Sequence, residues 1–173
     1  MLVESLTHPF EPVYNSESTI LVLGSFPSVI SRKNNFYYSN PQNRFWQVLS
    51  SVFDENLPYT IEEKKALVLK NHIALWDVLA SCDISGSDDS SIKNPVPNDF
   101  TKILSESQIK TIFTTGEKAH KLYKKFCYKK TGIEDILLPS TSPANQGRYP
   151  LNLLIDKYMI LKTGREAEYT LKF

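Results

Sequence analysis

Residues 20–28 read ILVLGSFPS, a short apolar run that stops at a glycine and continues as a polar turn. Leucine and β-branched residues bounded by glycine are typical of a buried strand. The arrangement recurs where the apolar run 136–138 leads into STSPANQGR at residues 140–148. Ligands of open α/β sheets bind in loops beyond the carboxyl ends of the strands. The two loops are therefore predicted to build one pocket, although they lie far apart in the chain.

Apolar runs alternate with helical patterns along the whole chain. The predicted strands cover residues 20–23, 73–79, 111–114 and 136–138. The predicted helices cover residues 43–53, 60–70, 98–106, 117–128 and 150–161. This alternation predicts an α/β fold, a three-layer sandwich in which helices flank a central four-stranded parallel sheet. Residues 81–98 are rich in Ser, Asp, Gly, Asn and Pro and are predicted to form a long surface loop.

The composition is that of an ordinary globular protein. With 173 residues, 41% of them hydrophobic, residues 1–173 are predicted to form a single domain with a sizeable core. The apolar runs are too short for a transmembrane helix, and the first residues show no basic-then-apolar signal, so the expected location is cytoplasmic. Cys82 and Cys127 are too few and too isolated for a zinc or iron–sulfur site. Both are expected to pack as small apolar side chains without forming a disulfide.

The net charge of +1 gives no general indication of a nucleic-acid partner. Lysines nevertheless crowd residues 118–130, and helical spacing places Lys118, Lys121 and Lys125 on one face. One interpretation is a solvated helix face. The other is an accessory patch that faces DNA phosphate.

Common catalytic motifs are missing from the sequence. It contains no phosphate loop, dinucleotide fingerprint, HExxH zinc motif or GxSxG elbow. His8, His72 and His120 lie outside both loops and are predicted to be structural or surface residues. The predicted pocket is instead rich in aromatic, amide and hydroxyl groups, with no obvious nucleophile or metal ligand. That combination suits a flat, uncharged ring.

Individual residues in the two loops, and in the polar and aromatic stretch 36–46 that follows the first loop, allow more than one role. Ser25 follows a strand and a glycine, where a turn presents backbone N–H groups to a carbonyl or phosphate. Phe36 and Tyr38 are either core residues or a platform on which a base stacks, at about 1–3 kcal/mol per base. Asn43 is either a helix N-cap or a holder of water beside a ligand. Arg148 is able to contact phosphate or to fill a gap in a base stack.

An ordered set of short motifs, taken together, resembles the uracil-DNA glycosylase superfamily, with the DNA-deoxyinosine (hypoxanthine-DNA) glycosylases as the most similar branch. The set covers most of the chain. It comprises residues 24–28 (GSFPS), 36–38 (FYY), 43–46 (NRFW), 74–79 (ALWDVL), 81–84 (SCDI), 86–87 (GS), 91–92 (SI), 97–99 (PND) and 141–145 (TSPAN).

The resemblance implies a monofunctional glycosylase that works without a metal or cofactor. Such an enzyme bends double- or single-stranded DNA that contains a deaminated base, flips that base into the pocket and hydrolyses its N-glycosidic bond. No membrane partner is expected, and a monomer is the default for a base flipper.

The resemblance also suggests roles for residues around the base. Asn43 is assigned to the attacking water, by carry-over from the family. Tyr38 is the first choice for stacking on the flipped base, and Phe36 is the second. The backbone amides of Ser25 and Phe26 are assigned to the base carbonyl.

Further residues are assigned to the base edge and to the DNA. Asp77 is predicted to accept an N–H from the base, with a helix cap as the alternative. Ser142 and Asn145 are predicted to line the other side of the pocket. The wedge that enters the minor groove is assigned to Gln146, Gly147 and Arg148.

Three other functions remain compatible with the sequence. The first is the same fold with a preference for uracil or for mispaired thymine. The second is a non-catalytic module that binds DNA or nucleotides, and the third is a hydrolase of free nucleosides. Cleavage of DNA but not of free nucleosides would distinguish a DNA glycosylase from a nucleoside hydrolase.

Overall fold

The computed structural model describes residues 2–163. The strands in this part of the chain are β1 (Val3–Thr7), β2 (Ile20–Gly24), β3 (Ile73–Asp77), β4 (Leu79–Ser85), β5 (Lys93–Pro97), β6 (Thr111–Thr115) and β7 (Asp135–Leu138). The helices are α1 (Val29–Asn34), α2 (Phe45–Val52), α3 (Ile61–Lys70), α4 (Thr101–Ser105), α5 (Glu117–Phe126), α6 (Tyr128–Thr131) and α7 (Leu151–Tyr158). Short 3-10 turns occur at Asp89–Ser91 and Pro143–Asn145.

The main sheet has the strand order β3-β2-β6-β7, and all three strand pairs are parallel. This confirms the predicted central four-stranded parallel sheet. Alternate residues of β2 face opposite layers: Val22 packs with α2 and α7, and Leu21 and Leu23 pack with α4 and α5. Because both faces are covered, the strands read as continuous apolar runs.

The helices begin close to where the sequence predicts. Thr60 is the N-cap of α3, and its Oγ1 accepts a 3.0 Å hydrogen bond from the Glu63 N–H. The last predicted helix begins one residue later than expected, at Leu151, with Pro150 as its N-cap. These local signals are independent of tertiary packing, which is why the sequence reveals them.

The prediction of a long surface loop at residues 81–98 is wrong. Most of it forms β4 and β5, which join β1 in a second, antiparallel sheet with the order β1-β4-β5. Leu79, Cys82 and Ile84 are buried along β4, whereas its remaining side chains are partly exposed or paired. The edge position of β5 tolerates Pro95 and Pro97, since prolines cannot donate to a further strand. The polar composition therefore reflects a half-exposed sheet rather than a loop.

Both cysteines are free and buried, as predicted. They belong to the same apolar cluster, beneath the main sheet on the α5 side. Burial raises the pKa of each thiol, Cys82 and Cys127 alike, to about 11.

No helix within residues 2–163 combines the length and the apolar character needed to cross a bilayer.

Candidate active site

A cavity of about 280 Å³ lies at the carboxyl ends of the parallel strands. Gly24 ends β2, Asp77 ends β3 and Thr115 ends β6, and all three line the cavity. Ser140, which follows β7, lines it as well. Both predicted loops therefore contribute to one pocket, at the place where α/β sheets bind ligands.

Asn43 lies in the pocket wall and is held from two sides. Its Oδ1 accepts hydrogen bonds from the Phe45 N–H at 2.9 Å and from the Thr141 hydroxyl at 2.8 Å. The formal N-cap of α2 is Arg44, although Asn43 bonds to the first turn. The backbone donor identifies Oδ1 as the amide oxygen. Because Nδ2 has no hydrogen-bond partner among residues 2–163, its N–H groups are available to a bound molecule.

Tyr38 faces the pocket with one side of its ring already covered. The ring stacks on Phe45 with a centroid distance of 3.8 Å and an interplanar angle of 16°. Its hydroxyl lies 3.3 Å from Thr115 Oγ1. Burial raises the pKa of Tyr38, so the phenol stays neutral at physiological pH. A ring fixed in this way is a suitable stacking surface.

Phe36 does not line the pocket, contrary to its assignment as the second stacking residue. Its side chain is buried in the core, where it stacks on Trp46 at 6.0 Å between centroids. The neighbouring Tyr37 is also buried but does line the pocket, and its hydroxyl donates to the Glu11 carbonyl. In three consecutive aromatic residues, the sequence does not show which ring faces the ligand.

Ser25 and Phe26 form the turn that leaves β2, and both line the pocket. The carbonyls of Gly24 and Ser25 accept hydrogen bonds from the N–H groups of Val78 and Leu79. The turn is thereby fixed against the start of β4. The Ser25 hydroxyl donates a 2.7 Å hydrogen bond to Oδ1 of Asp89.

Asp89 is a pocket residue that sequence reasoning missed, because it fell within the supposed surface loop. The residue as a whole is exposed, yet its carboxyl contacts the buried Ser25 hydroxyl and lines the pocket. Desolvation raises the pKa of Asp89, and the charges of Asp77 and Asp88 raise it further, against the Ser25 hydrogen bond and Lys118. Only the alternation of buried residues along β4 signals that this segment folds back onto the pocket.

Asp77 reaches the pocket floor, and it has a partner that was not expected there. Its Oδ2 lies 2.7 Å from Nε2 of His8, which was predicted to be structural or surface and is a buried partner of this pocket residue. A Cβ at Gly24 would lie 2.6 Å from Asp77 Oδ1, which explains the glycine. The alternative of a helix cap does not hold, because β4 rather than a helix follows Asp77. His120, by contrast, pairs with Asp135 away from the pocket.

The second loop contributes partly to the pocket and partly to its mouth. Ser142 lines the pocket, and its hydroxyl accepts from the Ala144 N–H. Asn145, predicted to line the pocket, lies in an adjoining groove instead, and its Nδ2 donates to the Ser140 carbonyl at 3.0 Å. The assigned wedge forms an exposed turn. Its members are Gln146, Gly147 and Arg148.

The adjoining groove has a volume of about 930 Å³ and shares Asp89, Ser140 and Ser142 with the pocket. Three acidic and four basic side chains line it. The acidic ones are Asp88, Asp89 and Glu117, and the basic ones, from α5, the exposed turn and α7, are Lys118, Lys121, Arg148 and Lys157. Lys125, which was predicted to share a helix face with Lys118 and Lys121, does not line the groove. Its ammonium lies 5.2 Å from the centre of the Phe126 ring.

The fold and the site define an α/β protein with a pocket at the carboxyl ends of its parallel strands, beside a groove lined by four cations. The chain matches the uracil DNA glycosylase superfamily over residues 11–162. Proteins named hypoxanthine DNA glycosylase from Methanosarcina acetivorans and Methanosarcina barkeri are 37% and 32% identical to it. Each similarity extends over 139 residues, which is 79% of this chain and 87% of the relative.

A solved structure agrees with these relatives. It is a solution NMR structure from Methanosarcina acetivorans of a protein proposed to be a uracil DNA glycosylase. It matches with a TM-score of 0.75 and 30% sequence identity, over 93% of this chain and 99% of that one. The chain therefore belongs to the uracil DNA glycosylase superfamily.

Proposed function

We propose that this protein is a monofunctional DNA glycosylase that excises deaminated bases, hypoxanthine foremost, by hydrolysis of the N-glycosidic bond. The observation that carries the proposal is the amide of Asn43, anchored in the wall of a pocket that adjoins a groove lined by four cations. The names of the two curated relatives support hypoxanthine as the substrate. The enzyme acts as a monomer on double- or single-stranded DNA.

The chemistry requires neither a strong nucleophile nor a covalent intermediate. The glycosidic C1′–N bond breaks and its electron pair leaves with the base, while the sugar becomes oxocarbenium-like. A water oxygen then bonds to C1′, and its proton passes through solvent to the departing base. Asn43 holds this water by donation from Nδ2. The site must position one water and stabilise charge on the base, which is catalysis by orientation and electrostatics.

The pocket recognises the flipped base through three kinds of contact. Tyr38 stacks on the ring from the side opposite Phe45. The backbone N–H groups of Ser25 and Phe26 receive the base carbonyl, and Asp77 accepts the ring N–H. Ser142 closes the side of the pocket nearest the groove. Flipping costs a few kcal/mol and least for a mispaired base, so lesions enter more readily than normal pairs.

The exposed turn of Gln146, Gly147 and Arg148 enters the minor groove and keeps the base flipped out. Asn145 supports this turn through its hydrogen bond to the Ser140 carbonyl. Replacement of Arg148 by alanine is expected to weaken binding to lesion DNA by several-fold. Binding unchanged in Arg148→Ala would place the wedge elsewhere.

The decisive experiment is alkaline strand cleavage of matched duplexes that carry one inosine, uracil, xanthine or mispaired thymine. The reaction is run with a chelator. Cleavage at inosine is expected in the wild type, with a loss of about 10² or more in single-turnover rate for Asn43→Ala and little change in the Kd for DNA. Gln42→Ala is the matched control, since Gln42 is exposed and does not line the pocket. Equal rates for Asn43→Ala and Gln42→Ala would contradict the role of Asn43.

A preference for uracil is the second candidate function. The protein in the matching NMR structure is proposed to be a uracil DNA glycosylase. Uracil, like hypoxanthine, presents a ring N–H and a carbonyl to the pocket. The same four duplexes separate the candidates, because cleavage at uracil alone would favour the second. Binding of lesion DNA without any cleavage would indicate a non-catalytic module.

A further inference from the structure

We propose that His8 is a positioning residue for base selection, which holds Asp77 as an acceptor-only carboxylate at the pocket floor. The pair then admits bases that present a ring N–H and disfavours bases that present a ring lone pair. This inference rests on the proposed function of the same pocket and names how that pocket separates deaminated bases from their parents.

The second sheet carries His8 to the end of β3. His8 follows β1, and its N–H donates to the Ala80 carbonyl of β4 at 2.7 Å. The side chains of His8 and Asp77 are only 5% and 6% exposed, and Nε2 lies 2.7 Å from Oδ2. A short, desolvated contact of this kind fixes the carboxylate in one orientation.

The surroundings of His8 determine which nitrogen donates. A carboxylate only accepts, so the 2.7 Å contact places the ring proton on Nε2, and the Phe10 N–H lies 3.5 Å from Nδ1, the remaining acceptor. Edge-on contacts with Phe10 and Phe26, at centroid distances of 4.6 and 5.9 Å, hold the ring plane. In this arrangement Nε2 donates and Oδ2 of Asp77 accepts.

The two oxygens of Asp77 have separate positions. Oδ2 is occupied by His8, whereas Oδ1 lies in the space where Gly24 has no side chain. The Tyr38 hydroxyl borders the same space, 3.4 Å from the position of a Cβ on Gly24. Since Gly24, Tyr38 and Asp77 all line the cavity, Oδ1 is the oxygen that meets a bound base.

This geometry has a direct chemical consequence. Deamination converts the ring acceptor N1 of adenine into the N1–H of hypoxanthine, and the ring acceptor N3 of cytosine into the N3–H of uracil. A carboxylate can only accept, so it pairs with the deaminated base and repels the lone pair of the parent. Sites built around such a buried hydrogen bond reject analogues without the donor strongly. Guanine and thymine carry a ring N–H and are excluded by other contacts.

The test compares two substitutions of His8 by single-turnover cleavage of an inosine duplex. His8→Phe keeps the aromatic packing but removes the donor, whereas His8→Gln keeps a donor near the position of Nε2. We expect His8→Phe to lose about tenfold or more in rate, with a Kd for DNA within about threefold of the wild type. We expect His8→Gln to restore the rate to within about threefold of the wild type.

A double-mutant cycle asks whether His8 acts through Asp77. If it does, His8→Phe adds no further loss in an Asp77→Asn background. His120→Phe is the matched control, because His120 forms a 2.7 Å contact with Asp135 away from the pocket. This control is expected to lower Tm and leave the inosine rate unchanged. Additive losses, or wild-type rates in His8→Phe, would overturn the proposal.

Failure of the proposed function gives a different result. If the wild type cleaves no lesion, calorimetric binding of the free bases hypoxanthine and adenine decides the role of His8. If the wild type binds hypoxanthine more tightly than adenine and His8→Phe does not, the result supports the role of His8. If both proteins show the same preference for hypoxanthine over adenine, the result refutes that role.

Discussion

The Thr141 hydroxyl donates a 2.8 Å hydrogen bond to Oδ1 of Asn43, and so joins the loop after β7 to the segment that precedes α2. Arg44 reinforces the connection. Its N–H donates to the Thr141 carbonyl, and its buried guanidinium donates to the Tyr149 carbonyl. The orientation of the Asn43 amide therefore depends on the loop that also carries the proposed wedge.

Replacement of Thr141 by valine tests this dependence. Thr141→Val keeps the shape of the side chain but removes the donor, so the Asn43 amide loses one of its two anchors. We expect the single-turnover rate on inosine DNA to fall about tenfold, with an unchanged Kd for DNA. Thr141→Ser keeps the hydroxyl and is expected to stay within about threefold of the wild type. Equal rates for the two variants would show that Phe45 alone orients the amide.

Gly24→Ala tests the close approach of Asp77 to β2. The added Cβ would lie 2.6 Å from Asp77 Oδ1 and 3.4 Å from the Tyr38 hydroxyl, so the carboxylate must move. We expect a lower Tm and a loss of inosine cleavage. Adding Asp77→Ala removes the obstructing oxygen and should recover Tm without recovering cleavage. If Tm does not recover, the strain lies in the backbone rather than in this contact.

Lys118 and Lys121 test the path of the DNA backbone through the groove. Each lysine that contacts a phosphate contributes about one unit to the slope of log Kd against log salt. We expect Lys118→Ala and Lys121→Ala each to reduce this slope by about one. Lys129→Ala is the control, because Lys129 is exposed and does not line the groove. Equal slopes in all three variants would indicate that the DNA backbone runs along another face of the protein.

Asp89→Asn tests the electrostatic strain at the pocket mouth. Burial raises the pKa of Asp89, so the folded protein disfavours its ionised form. The unfavourable contribution is absent well below the unfolded-state pKa of about 4, grows as pH rises through the folded pKa and is complete above it. Asparagine keeps an acceptor for Ser25 without the charge. We therefore expect Asp89→Asn to raise Tm at pH 7, and to raise it less at pH 4. A lower Tm at pH 7 would show that the charge-assisted bond to Ser25 outweighs desolvation.

The main sheet could be predicted because its strands are covered on both faces and read as unbroken apolar runs. The second sheet could not, since β4 and β5 are half-exposed and their polar side chains resemble a loop. Pro95 and Pro97 also favour a loop in the sequence, although an edge strand tolerates both prolines. Local composition reports burial of a segment, whereas pairing of β1 with β4 depends on residues far away in the chain.

The candidate site shows the same division. Residues at or shortly beyond the carboxyl ends of the buried strands, such as Ser25, Asp77 and Ser142, could be predicted from their position. His8 and Asp89 were missed, because the second sheet brings His8 to Asp77 and Asp89 to the pocket. Phe36 was misplaced, since a run of three aromatic residues on an irregular segment has no periodicity from which to assign faces.

The two thiols allow the opening of the core on the α5 side to be measured directly. Cys82 and Cys127 are the only cysteines in the sequence, and both lie in one apolar cluster. Thiol reagents attack the thiolate of an exposed cysteine, and both thiols are buried with a pKa of about 11. Labelling of the unmodified protein near neutral pH therefore proceeds only through molecules in which this layer has come apart. When opening and closing are fast relative to labelling, the labelling rate reports the population of that opened state, without any introduced probe.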